Sequence, residues 1–117
     1  MTYRIYRLKE GEKTSTYLFM GSASLNKFGF WPPDPDAYEE IWQGTIHGSD
    51  HNRILDQIYA KFNVDKPLAF SSQHHSMSVG DIVVLTAKDK TTTTYFCDSI
   101  GWAELPPEFF KPVPAAE

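Results

Sequence analysis

The sequence predicts an α+β domain: a small, mainly antiparallel β-sheet with two helices packed on it. Three observations carry this. Ile82-Val83-Val84-Leu85 is an unbroken apolar run, mostly β-branched, as expected of a strand buried on both faces. Thr91 to Cys97 is dense in β-branched and aromatic residues and supplies an antiparallel partner for that strand. Ile54, Leu55, Ile58, Tyr59 and Phe62 recur at the spacing of one apolar helical stripe.

In chain order, Tyr3 to Leu8 reads as a strand with apolar groups on both faces. Glu10-Gly11-Glu12-Lys13 is a polar turn, and Thr16 to Met20 reads as a short irregular or helical element. Phe28-Gly29-Phe30-Trp31-Pro32-Pro33-Asp34-Pro35 is expected to be an extended loop, because clustered prolines exclude a helix interior or a central strand. Its aromatics either anchor the loop to the core or stand exposed as partner contacts. Asp36 to Gly44 is expected to be a helix, capped by Asp36, with Tyr38, Ile41 and Trp42 on one face and Gly44 ending it in a left-handed turn. A second helix is expected from Asp50, as N-cap, to Phe62.

Phe70 to His75 returns the chain as a polar loop. Ser76 to Asp81 then turns it into the apolar strand, with Gly80 free to take a positive φ and Asp81 able to bond nearby backbone N–H groups. The second strand ends in Asp98-Ser99-Ile100-Gly101, which delivers Trp102 and Leu105 beside the hairpin. Leu105 to Phe110 is expected to tuck an aromatic pair down, and residues 111–117 to form a flexible tail after a single domain over 1–110.

The pattern Ser76-x-Ser78-Val79-x-Asp81-Ile82-Val83-Val84-Leu85, followed by Tyr95-Phe96-x-Asp98-Ser99-x-Gly101-Trp102, resembles the YodL-like domain family. The resemblance extends to the strand at Tyr3 to Leu8, to Tyr38-x-x-Ile41-Trp42-x-Gly44 and to the helix ending at Phe62-Asn63. It implies a small domain of bacterial, phage and mobile-element proteins, and no established catalytic residues.

Bulk composition bounds the remaining possibilities. The 117 residues suffice for one core, and 41% hydrophobic content fits a folded chain. A net charge of −4 argues against nucleic-acid binding by charge alone, leaving the basic residues Arg4, Arg7, Lys9 and Lys13, with Lys88, as a local patch. A single cysteine, Cys97, excludes an internal disulfide. The absence of a leader-like or membrane-length apolar run gives a cytoplasmic expectation.

No catalytic constellation stands out. His47 and His51 are four apart, but the Asp50 cap places His47 outside the helix, and His74-His75 are loop residues, so no metal and no cofactor is expected. Cys97 in a β-rich run reads as a packed thiol rather than a nucleophile. Ser76, Ser78, Asp81, Asp98 and Ser99 form a polar turn cluster, read first as mutual capping of the tight turns and second as a ligand site. Phe30, Trp31 and Trp102 are the candidate partner-binding residues. The functional expectation is a non-enzymatic protein-interaction module, a phage or mobile-element protein that binds and modulates a host protein. The alternatives are a nucleic-acid-binding domain, whose Val-Gly-Asp-Ile-Val-Val strand entry looks like that of PUA-type barrels, and a small hydrolase.

Overall fold

The structure is a computed structural model and describes residues 1–9, 21–27, 29, 31–63, 77–106 and 109–110. Its centre is a five-stranded sheet in which every neighbouring pair is antiparallel. The strands are β1 (Thr2–Leu8), β2 (Tyr38–Thr45), β3 (Ile82–Thr86), β4 (Thr92–Cys97) and β5 (Trp102–Glu104). They lie in the order β2-β1-β3-β4-β5. The helices are α1 (Ser22–Lys27) and α2 (His51–Asn63), with a 3-10 turn at Pro35–Ala37.

Strand alternation sorts the core onto two faces. Tyr3 and Ile5 of β1 and Val83 and Leu85 of β3 join Ile54, Leu55, Ile58 and Phe62 of α2 in one cluster. Ile82, Val84 and Phe96 turn the other way and meet Leu25 of α1, Tyr38, Leu105 and Phe109. All of Ile82 to Leu85 is therefore buried, as an apolar run without alternation predicts. Fully burying each of the four α2 side chains contributes roughly 1.5–3 kcal/mol. Asp50, just before the helix, caps it: its Oδ1 accepts from the N–H groups of Asn52 (3.1 Å) and Arg53 (3.4 Å), the N-cap expected from the sequence.

The expected helix over Asp36 to Gly44 is instead the strand β2, preceded by the 3-10 turn. Asp34, not Asp36, caps that turn, and Pro35 opens it rather than prolonging the extended loop. A register shift explains the misleading pattern. Ile5 pairs with Trp42 and Tyr6 with Glu40, so Ile41 is an extra, bulged residue. The bulge sends Ile41 and Trp42 to the same face while Tyr38 joins the other, which reproduces the i, i+3, i+4 spacing of a helix. Gly44 ends nothing: it sits in β2 opposite Tyr3, whose ring lies where a Cβ would stand, 2.8–3.0 Å from it. No apolar stripe in the sequence marks α1, which buries only Leu25. The readings at 10–20, 64–76 and 111–117 lie outside the described residues.

Candidate functional site

The turn cluster is built from the two ends of the β3–β4 hairpin. Gly80, at φ 102°, donates its N–H to the carbonyl of Cys97 (2.9 Å), and Cys97 donates to Asp81 (2.8 Å). Asp81 Oδ2 accepts from Ser78 N–H at 2.9 Å, closing the turn. The antiparallel register places Asp81 across from Arg7, one step beyond the Tyr6–Ile82 pair. There the guanidinium donates from Nε to Oδ1 (3.0 Å) and from a terminal nitrogen to Oδ2 (2.8 Å). Both side chains are largely buried, at 12% and 5% exposure, and the fork is a bidentate tie between β1 and the entry to β3.

Asp98 faces a different partner. Its carboxylate accepts from Ser22 N–H (2.9 Å), from the Ser22 hydroxyl and from Ser99 N–H (2.8 Å), so it holds the first turn of α1. Burial works against its charge, but the hydrogen bonds from Ser22 and Ser99 outweigh that and lower its pKa. Gly21 makes this approach possible, because a Cβ there would collide with Ser99 Oγ and Asp98 Oδ1. Cys97, which precedes Asp98 and bonds the Asp81 carbonyl through its N–H, is buried. Burial, then the charges of Asp81 and Asp98, push its thiol up to about 12, which withholds the thiolate a nucleophile needs. Asp81 and Asp98 are thus each spent on an internal partner, while Ser76 lies outside the described residues.

The aromatic candidates separate. Trp31 is half-buried and stands edge-on to Phe96, with ring centroids 5.0 Å apart, as part of the second core cluster. Phe30 lies outside the described residues. Trp102 is half-buried on the α2 side of β5 and meets Tyr59 edge-on at 6.4 Å. Tyr59, counted above among the stripe residues, is in fact 42% exposed, because it flanks the stripe beside Ile58. Two residues before Trp102, Ile100 is 94% exposed in the β4–β5 turn.

Next to this pair, Tyr95 of β4 bonds His51 Nδ1 through its hydroxyl at 2.8 Å and pairs across the ladder with Glu104. Burial, and then the Glu104 charge, raise the Tyr95 pKa. His51, Tyr59, Tyr95, Trp102 and Glu104 therefore share the margin between α2 and the sheet edge at β5. Sequence reasoning missed Tyr59, Tyr95 and Glu104. The alternation Tyr95, Cys97 and Trp102, Glu104 was the available signal, but its use required knowing that the two strands pair.

His47 borders an open depression of about 220 Å³ with Gly48, Asp50 and Arg53 at the start of α2. Among the described residues, no three His, Cys, Asp or Glu side chains gather as a metal site, and no helix is long and apolar enough to cross a membrane. Of the basic residues, Arg7 is engaged by Asp81, and Arg4 lies 3.8 Å from Glu40.

This is a small α+β domain with an open antiparallel sheet and an aromatic margin at one edge. The YodL-like domain family matches residues 2–109, and the chain belongs to that family. It is 25% identical over 69 residues to the uncharacterised protein YodL of Bacillus subtilis (strain 168). That match spans 59% of this chain and 66% of YodL, so just under two thirds of the relative's length is covered. No solved structure matches.

Proposed function

We propose that the chain is a non-enzymatic protein-interaction module acting in the cytoplasm, whose docking surface is the margin between α2 and β5. The observation that carries this reading is the ring pair of half-buried Trp102 and exposed Tyr59, with an almost fully exposed Ile100 two residues before Trp102. Aromatic side chains of this kind are preferred anchors in interfaces. Trp102 keeps the partner-binding role; Trp31 packs against Phe96 and serves the core. The partner proposed is a host or mobile-element protein, the setting that the sequence resemblance implies. A nucleic-acid partner is disfavoured, since Arg7 is buried against Asp81 and the net charge is negative.

The test is site-specific photo-crosslinking in bacterial cells. A photoreactive amino acid in place of Ile100 is expected to give discrete protein adducts that survive nuclease and weaken with Trp102→Ala. The same group in place of Asp89, in the β3–β4 turn, is expected to give none. Adducts of equal yield from both positions would sink the assignment of the surface, and adducts that vanish with nuclease would point to nucleic acid instead.

A further inference from the structure

Among the described residues the β5 strand ends the sheet, and its hydrogen-bond phase determines what its outer edge offers. Asp98 N–H donates to Gly101 C=O (3.0 Å) and Leu105 N–H to Thr94 C=O (2.8 Å). In an antiparallel ladder these bonds alternate, so Gly101, Ala103 and Leu105 turn their main chain inward, and Trp102 and Glu104 turn theirs outward. Among the described residues nothing accepts or donates to those outward groups. The same two residues carry side chains on the α2 face, where Trp102 meets Tyr59 and Glu104 lies across from Tyr95.

Among the described residues, the charge placed at this margin by Glu104 and Asp56 has one sign. Glu104 is exposed and has no ion pair among the described residues. Asp56 lies three residues before Tyr59, on the same flank of α2. Arg53 lies on the opposite flank, beside the depression at His47. A strand added to β5 would set its own side chains opposite Trp102 and Glu104 on the α2 face. The position opposite Glu104 favours a cation and the one opposite Trp102 an apolar or cationic stem.

Resting on the interaction-module reading, we propose that β5 receives an extended, lysine- or arginine-bearing segment of a partner protein as a sixth strand, with Glu104 pairing its cation and the Trp102–Tyr59 pair covering the neighbouring side chain. This is strand addition, in which the main chain supplies affinity and alternate side chains supply specificity.

The experiment uses two dye-labelled octapeptides, one alternating Thr and Lys and the other Thr and Glu, titrated with the full chain by fluorescence anisotropy. The Lys peptide is expected to bind and the Glu peptide not. Glu104→Gln, which removes only the charge, should weaken the Lys peptide about twofold to fivefold. Glu104→Pro also removes the outward N–H without touching the ladder to β4, and should abolish binding while far-UV circular dichroism stays unchanged. Equal binding of both peptides, or parent-like binding by either variant, overturns strand addition. So does a dimer of the chain alone that Glu104→Pro dissolves, because the occupant is then a second copy. If strand addition falls while the Ile100 crosslinks persist, the interaction reading survives; if both are lost, both readings fall.

Discussion

Asp98 shows how one carboxylate can be legible locally and illegible at distance. A turn beginning Asp98-Ser99 predicts a carboxylate bonded to the next N–H, and Ser99 N–H does donate to it at 2.8 Å. Its stronger attachment, to Ser22, has no trace in local sequence, because Ser22 precedes it by most of the chain. The same is true of Asp81, read correctly as a turn residue but without Arg7. The Asp98 pKa lies below its ordinary value of 3.8. The ionised form therefore contributes stability that is present above that value and lost as pH falls through the lowered one. Asp98→Ala, which removes the acceptor, is expected to cost about 1 kcal/mol at neutral pH, as loss of a capping side chain does, and to flatten the fall in stability on acidification. Urea denaturation at neutral and acid pH checks this; parallel acid limbs in both proteins would remove Asp98 as the cause.

At the scale of elements, strands bounded by plain alternation or by an unbroken apolar run were readable, and β2 was not. A single bulged residue, Ile41, changes the phase of the pattern and turns a period of two into an apparent helical stripe. Helix α1 was missed for a different reason: it is short, carries one buried residue, Leu25, and is held by Asp98 from outside its own segment. Gly44, which looked like a helix terminator, is required by Tyr3 instead. Gly44→Val is expected to destabilise the fold by about 1–3 kcal/mol through overpacking. In a Tyr3→Leu background, where the ring is gone, the penalty should shrink. Chemical denaturation of the four proteins measures the coupling, and an unchanged penalty would mean that the ring is not what excludes the side chain.

For the whole molecule, the central position of β1 and β3 decides where stability is concentrated. Both have neighbours on each side and apolar contacts on each face, whereas among the described residues β2 and β5 each pair on one side only. Amides of Ile5 and Val83 are expected to exchange only through global unfolding, that of Ala103, turned towards β4, through local opening, and those of Trp102 and Glu104, which point outward, without any opening. Hydrogen exchange with residue resolution tests the ordering; equal protection at Glu104 and Val83 would contradict it. The candidate margin at β5 thus sits where the main chain opens most readily. It was only partly visible in the sequence, since Trp102 stood out as a large aromatic after a turn while its neighbours belong to α2 and β4.

The pairing of Tyr3 with Leu85 has a consequence for synthesis. On the ribosome, β1 emerges first and can meet β2 early, but one of its edges has no partner until β3 has left the exit tunnel. Until then the inner faces of Tyr3, Ile5 and α2 have only a two-stranded ribbon to cover, which is marginal in water. A nascent chain stalled before residue 82 therefore presents an open sheet edge and an uncovered apolar helix face to whatever chaperone stands at the tunnel mouth.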